Sequence, residues 1–316
     1  MINSFDLKNL SLLEEIHFGQ DFDCDFIYED GGLDWGNVPA THNTYNYPNQ
    51  VGDSISSSKI NNRDITITAY SFYILSEDEK IEVGRENWYK YCYEKIKEKN
   101  EILNRVINPL NYVRLTIGDY YIEGKPSATP KYGTTVSDNN LYFCKFMISI
   151  FCANPMFKKI TQTTSLLSGD LGAFFFPLFI PSYGKIMGVR NNYLMLEVDN
   201  EGNAEIGGII TITAKGEVVN PVIENFNTGE QFRIYYTMQQ GDIITINTSD
   251  GGEKGIWGTI NGITSSFIKY MSFSASTWLK FKAGRTILVY STDNQSEEEL
   301  DIKVELNPQK YGLEDM

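Results

Sequence analysis

The chain offers two histidines, His17 and His42, and both precede residue 50. A serine triad using histidine, or a metal held by histidines at ligand spacing, would have to be built from that pair. No GxSxG, P-loop, HExxH or strand-following GxGxxG occurs in the sequence. Asp21-Phe22-Asp23-Cys24-Asp25 opens like a calcium loop, but the loop's sixth position needs glycine and its twelfth glutamate. Those positions hold Phe26 and Gly32, so the alternation of Asp with Phe22, Cys24 and Phe26 reads instead as a half-buried strand. With 41 acidic residues a carboxylate pair for glycoside hydrolysis is available in any fold, and its mere availability carries no weight. The expectation is a protein without catalysis, metal or cofactor.

Two other residue types could serve binding. Cys24, Cys92, Cys144 and Cys152 never form a CxxC pair, and Cys144 and Cys152 share strand parity, which favours buried free thiols over zinc or a disulfide. In the second half, aromatics sit among polar strand residues: Tyr235, Tyr236, Trp257, Tyr270, Trp278 and Tyr290. Tyr235, Trp257 and Trp278 could form a flat face for sugars. The competing reading, which is preferred, makes Trp257 and Trp278 core indoles of a sandwich.

The element that organises the chain is the stretch from Leu141 to Lys159. One parity, Tyr142, Cys144, Phe146, Ile148, Ile150 and Cys152, is almost wholly apolar and suits a core. The other parity is mixed, and its Phe143, Lys145, Met147 and Phe151 are candidates for a subunit interface. Proline 155 ends the strand and marks a domain boundary. The first domain is then 1–155, with residues 1–62 irregular and a strand from Arg63. An acidic turn at Ser76–Glu79 precedes one convincing helix, about 86–107, with a stripe of Trp88, Cys92, Ile96, Leu103 and Ile107. Residues of about 118–140 read as an arm or hairpin. Residues 156–185 form a connection whose Phe174 to Phe176 pack into the following domain, and 186–316 is the second domain. There, short strands recur between turn signals such as Asn227-Thr228-Gly229 and Asn261-Gly262. Even spacing without helices argues an antiparallel β-sandwich or jelly roll.

Composition bounds the function. At 316 residues with 41% apolar and 13% aromatic content, the chain can bury two cores. A net charge of −14 argues against nucleic acid gripped through its phosphates. The sequence contains no apolar run of about 18 residues and no basic-then-apolar start, so neither a membrane span nor an export signal is expected.

Several stretches, in this order, resemble the distal tail protein (Dit) family of phage tail baseplates, from long-tailed phages or prophages of Gram-positive bacteria. They are Arg63-Asp64-Ile65-Thr66-Ile67, Phe151-Cys152-Ala153-Asn154-Pro155, Asn200-Glu201-Gly202-Asn203-Ala204, Asn220-Pro221-Val222-Ile223-Glu224-Asn225, and Gly241-Asp242-Ile243-Ile244-Thr245-Ile246. The resemblance covers most of residues 60–290. It implies a mostly β protein with one prominent helix. Its N-terminal domain would form a hexameric ring joining tail tube to tip hub and letting DNA through. Its C-terminal sandwich would be galectin-like or similar to a carbohydrate-binding module. The implied partners are further copies of the chain, the tail tube protein and a tail-associated fibre or lysin hub protein, with a receptor-binding protein or host glycan beyond. The implied location is the virion tail, after synthesis in the host cytoplasm. The length of 156–185 and the acidic tail beyond Asp293 depart from a short Dit.

Overall fold

The computed structural model describes residues 4–167, 170–172, 188–190, 195–249 and 254–313. The expected packing of Phe174 to Phe176 lies outside them. The chain forms two compact units, Met1–Lys158 with Tyr311–Met316, and Lys159–Lys310.

The first unit is a closed barrel. Hydrogen-bonded neighbours run in the order Tyr120–Pro126, Val113–Ile117, Ser4–Asn9, Glu15–Gly19, Phe26–Asp34, Arg63–Phe72 and Phe143–Cys152. Pairing of Ile150 with Pro126 and Phe151 with Lys125 closes the ring. Neighbours are antiparallel except Glu15–Gly19 and Phe26–Asp34, which meet in parallel at Phe18 and Phe26. The short seam depends on Gly124, where a Cβ would lie 2.6 Å from the Phe151 carbonyl oxygen.

The Phe143–Cys152 strand alternates as its sequence requires. Cys144, Phe146, Ile148, Ile150 and Cys152 are buried, and the strand pairs with Arg63–Phe72 along its whole length. Tyr142 departs from the expected apolar parity and is exposed. Asn140 turns the chain just before the strand, its Oδ1 accepting from the amides of Tyr142 (2.9 Å) and Phe143 (3.2 Å). Inside the barrel the phenyl rings of Phe5 and Phe18 stack at 4.8 Å, and Phe26 meets Phe146 edge-on at 5.3 Å. Each such side chain stabilises the fold by about 1.5–3 kcal/mol when fully buried.

The helix is α2, Trp88–Val106. Its last turns insert Leu103, Val106 and the following Ile107 into the barrel core. Asn9 fixes that end of α2. Its buried side chain donates to the Val106 carbonyl (2.8 Å) and accepts from the amides of Ser11 and Leu12 (3.0 Å each). The acidic turn at Ser76 is instead the start of a second helix, α1, Glu77–Val83. Ser76 and Glu79 form a reciprocal capping box, which gives three consecutive acidic residues a favourable place at a helix N-terminus.

Other expectations are corrected. Residues 4–62 contain five strands rather than irregular chain: Ser4–Asn9 and Phe26–Asp34 each pair with a strand farther along the sequence as well as with a near neighbour, whereas Ala40–Tyr45 and Ser54–Ile60 pair with each other. The Asp21–Asp25 segment is a turn, with Phe22 exposed and the Cys24 thiol donating to the Asp21 carbonyl at 2.8 Å. Residues 118–140 form no extended arm, since Tyr120–Pro126 is a barrel strand and Lys131–Tyr132 pairs with Phe146 and Met147. Residue Phe157, placed in the connection, is buried in the barrel core against Trp35. Tyr311 belongs with the barrel unit because the buried Arg63 guanidinium donates to its carbonyl while stacking over Phe157 at 4.7 Å.

The second unit is antiparallel throughout its two larger sheets. One has the order Thr163–Leu167, Leu300–Leu306, Gly208–Ala214, Ile243–Asn247, Gly255–Ile260, Ile263–Ser266. The other has Met195–Asn200, Gly284–Ser291, Val222–Asn225, Glu230–Arg233. Alternate residues such as Ile210, Ile212, Ile244, Ile246, Ile302 and Val304 are buried, the pattern of a sandwich. Thr163–Leu167, from the expected connection, is an edge strand of the larger sheet. Between the strands, Ile268–Tyr270 is a short 3-10 turn and Phe281 makes a single bridge to Ile206.

Candidate assembly surface

All four cysteines are free and buried. Burial pushes the Cys152 thiol up to about 12, and the thiols of Cys24, Cys92 and Cys144 upward for the same reason. Among the described residues, no group of three or more His, Cys, Asp or Glu is placed to hold a metal ion. His17 contacts Asp6 at 2.5 Å on the barrel wall, whereas His42 lies in a hairpin against Ser58 at 2.8 Å.

What the barrel unit does present is surface. The outward parity of Phe143–Cys152 carries Phe143 and Lys145 half-buried, and Met147 and Phe151 exposed. Lys145 Nζ sits 2.9 Å from Glu29 Oε2, and the Tyr70 hydroxyl donates to Glu29 Oε1 at 3.1 Å. The Lys145 hydrogen bond holds the Glu29 carboxyl below the usual range, and Glu29 in turn raises Lys145. Beside this pair runs an apolar groove lined by Phe22, Ile27, Tyr70, Phe72, Tyr142 and Phe143. Phe22 is 70% exposed and Tyr142 66% exposed. Phe143 therefore joins the groove, whereas Phe151 lies at the barrel seam, eight residues along the same strand.

The second feature has no counterpart in the sequence reading. Among the described residues, Ala40–Tyr45 and Ser54–Ile60 pair only with each other, as a separate two-stranded sheet. Nearly every side chain on both strands is exposed. Polar pairs cross it, with Asn43 Nδ2 donating to Ser57 Oγ at 2.9 Å and Asn61 Nδ2 to Thr41 Oγ1 at 2.8 Å. Its tip is apolar: Tyr45 and Tyr47 meet edge-on at 5.2 Å, with Val51 and Ile55 exposed beside them. The signal available in sequence was weak, a Tyr-Asn-Tyr-Pro-Asn turn between Thr/Ser-rich runs that bury nothing.

The three aromatics of the expected sugar face stand on different elements. Trp257 rises half-buried from the larger sheet of the second unit, opposite Thr245 and Ser266. Trp278 packs on the buried Phe232 at 5.5 Å, beside the smaller sheet. Tyr235 is exposed under the Arg233 guanidinium at 5.9 Å.

Residues 201–305 match the family model described as siphovirus-type tail component, C-terminal domain. The chain is a phage tail component. Among solved structures, the crystal structure of SPP1 Dit, described as a paradigm of the hub adsorption apparatus in phages infecting Gram-positive bacteria, is similar with a TM-score of 0.60. That likeness spans 96% of this chain and 98% of SPP1 Dit at 12% identity, and it is a likeness of fold. Chains of the phage P2 baseplate in its activated conformation, with Ca and with Sr, align at 13% and 12% identity. They cover 97% and 96% of this tail component and 98% of each baseplate chain, with TM-scores of 0.41 and 0.38. A search of curated proteins finds no match.

Proposed function

We propose that this tail component is a distal tail protein, a structural hub subunit that assembles through its barrel unit into a hexameric ring between tail tube and tail tip. The observation that carries the reading is the Ala40–Ile60 hairpin. A lone two-stranded hairpin is marginally stable in water, and this one buries almost none of its side chains within its own chain. Its stability and its apolar tip are accounted for if a neighbouring copy covers them. The groove at Phe22, Phe72 and Phe143 supplies a different surface for the contact in the other direction. Two unlike surfaces on one chain make head-to-tail contacts, the kind that close into rings.

The fold of SPP1 Dit, described as a hub, supports the same position in the tail. A net charge of −14 suits a passage for DNA, since carboxylates and phosphates repel. The tail tube protein would stack on one face of the ring and a fibre or lysin hub protein on the other, with receptor-binding proteins outside. Negative-stain images and sedimentation of the purified 36.0 kDa chain, alone and mixed with its tail tube protein, test the proposal. Six-fold rings in either sample support it, and single chains in both at about 100 μM would sink it.

A further inference from the structure

We infer that α1 is a hinged flap, docked on the barrel unit chiefly through one carboxylate, and that its docking fixes one wall of the apolar groove. The inference rests on the barrel unit alone and is independent of the ring.

Helix α1 is seven residues long, and none of them is buried. Ile81 is 82% exposed, so the packing of its isoleucine does not hold the helix in place. A helix of that length is not stable in water by itself. It depends on its attachment, and the attachment is polar. Glu79 Oε1 accepts from the Tyr73 hydroxyl at 2.7 Å and from the Tyr91 hydroxyl at 3.1 Å. Tyr73 follows the barrel strand Arg63–Phe72 and Tyr91 belongs to α2, so one carboxylate ties α1 to both. The Trp88 indole N–H, at the start of α2, donates to the Lys80 carbonyl at 3.1 Å.

Glu79 has a second task. Its Oε2 accepts from the Ser76 amide at 2.9 Å and completes the capping box that starts the helix. Capping and docking therefore share a side chain, and α1 forms and attaches, or frays and detaches, in one step. Such a unit, with so little apolar burial, opens at a lower free energy than the barrel beneath it. At the other end of α1 Gly84 has a φ of 72°, a conformation that L side chains rarely adopt. A Cβ there would meet nothing nearer than Glu86 Oε1 at 3.6 Å, so the chain has room to swing about this residue.

Tyr73 links the flap to the groove. With Ile74 it lines the groove beside Phe22, Phe72, Tyr142 and Phe143. The ring of Tyr73 is held from outside, by the bond to Glu79 and by an edge-on contact with Tyr91 at 6.2 Å. When α1 detaches, the Tyr73 hydroxyl loses its acceptor and the side chain regains its other rotamers. The groove then has one shape with the flap docked and a looser one with it free. By linkage, whatever fills the groove and holds Tyr73 in place stabilises α1 by the same factor by which docked α1 favours filling.

Amide-exchange NMR on the full chain, with isoleucine methyls labelled, tests both halves. In the wild type the amides of residues 80–83 and the Trp88 indole N–H should exchange together, through an opening that urea barely affects. The Ile65 and Ile67 amides of the barrel should exchange more slowly, with global unfolding. Glu79→Gln and Tyr73→Phe should each speed the α1 exchange about tenfold, the scale of a hydrogen bond to a charged group, and leave Ile65 and Ile67 unchanged. The double variant should gain less than the product of the two, because both remove the same bond. The methyl signals of Ile27, across the groove from the flap's own segment in sequence, should shift in Glu79→Gln, whereas those of Ile244 in the second unit should not. Exchange of residues 80–83 only together with Ile65 and Ile67, or at a rate indifferent to both substitutions, would overturn the flap. An Ile27 signal unmoved by Glu79→Gln would overturn its link to the groove.

Discussion

Replacing Val51 at the hairpin tip by aspartate separates assembly from folding more cleanly than any core mutation. Val51 is 101% exposed in the single chain, so its side chain contributes no burial energy to the monomer. If a neighbouring copy covers it, about 1.5 kcal/mol or more of apolar burial is gained there and nowhere else. Aspartate forfeits that gain and adds a carboxylate that must be desolvated, which costs a further several kcal/mol when it finds no partner. The expected total, at least about 3 kcal/mol for each contact, corresponds to more than a hundredfold per interface. Tyr47→Ser, at a residue 64% exposed beside Tyr45, should act in the same direction. Sedimentation across a concentration series reads the assembly, and urea unfolding with the same samples reads the fold. Rings lost at an unchanged unfolding midpoint support the hairpin as the assembly element. Rings that persist in the Val51→Asp, Tyr47→Ser double variant would refute the reasoning, even if the ring itself is real.

Three further outcomes follow from the barrel unit. Asn9→Ala should destabilise it by about 2–4 kcal/mol in urea unfolding, because the buried Val106 carbonyl is left without its donor while the Ser11 and Leu12 amides can turn to water. Leu103→Ala, at a side chain with no exposed surface, should cost about 2–5 kcal/mol by the same assay, depending on how far the barrel collapses around the cavity. Glu79 should give α1 a pH dependence readable by amide exchange. The Tyr73 hydroxyl holds the Glu79 carboxyl at about 2, so the attachment of α1 is complete above the ordinary carboxylate value of 4.5 and is lost as pH falls through about 2. Glu79 in turn pushes Tyr73 up to about 12, so the same attachment is complete below 10 and lost as pH rises through about 12. Glu79→Gln should flatten the acid arm.

How much of this was legible in sequence differs by scale. The parity of Phe143–Cys152 was plain, since strict period-two alternation over a whole strand leaves one answer for which face is buried. α2 was legible to within two residues at its start and one at its end, its stripe of Cys92, Ile96 and Leu103 being a helical period. The capping box at Ser76 was also visible as S-x-x-E, and a reading that counted charges rather than spacing made a turn of it. The early strands were hidden for another reason: Ser4–Asn9 and Glu15–Gly19 are only six and five residues long, and so short a run leaves little period-two pattern to read even though the two pair with each other. Trp257 shows the limit for single residues. Its type suggested either a core or a sugar face, and the structure places it half-buried, with Thr245 and Ser266 opposite it on the neighbouring strands.

The barrel's closure gives the hairpin its significance. An open sheet offers unpaired backbone along its edge strands to any passing chain, and folds commonly blunt such edges. Here Ile150 and Phe151 pair with Pro126 and Lys125, so the seven strands form a ring without a free edge in its circuit. The Ala40–Tyr45 and Ser54–Ile60 strands are left outside it, each paired on one side only. The closed barrel therefore leaves the hairpin edge and the apolar groove at Phe22, Phe72 and Phe143 as two separate places for recruiting neighbours. That restriction suits a subunit that must add a defined number of neighbours and then stop. It also implies that opening the seam should harm specificity before it harms stability. Gly124→Val, which forces a side chain into the Phe151 carbonyl and the Ile150 side chain, should turn a defined oligomer into a broad size distribution by light scattering. A Gly124→Val chain that still forms a single species would show that barrel closure does not govern recruitment.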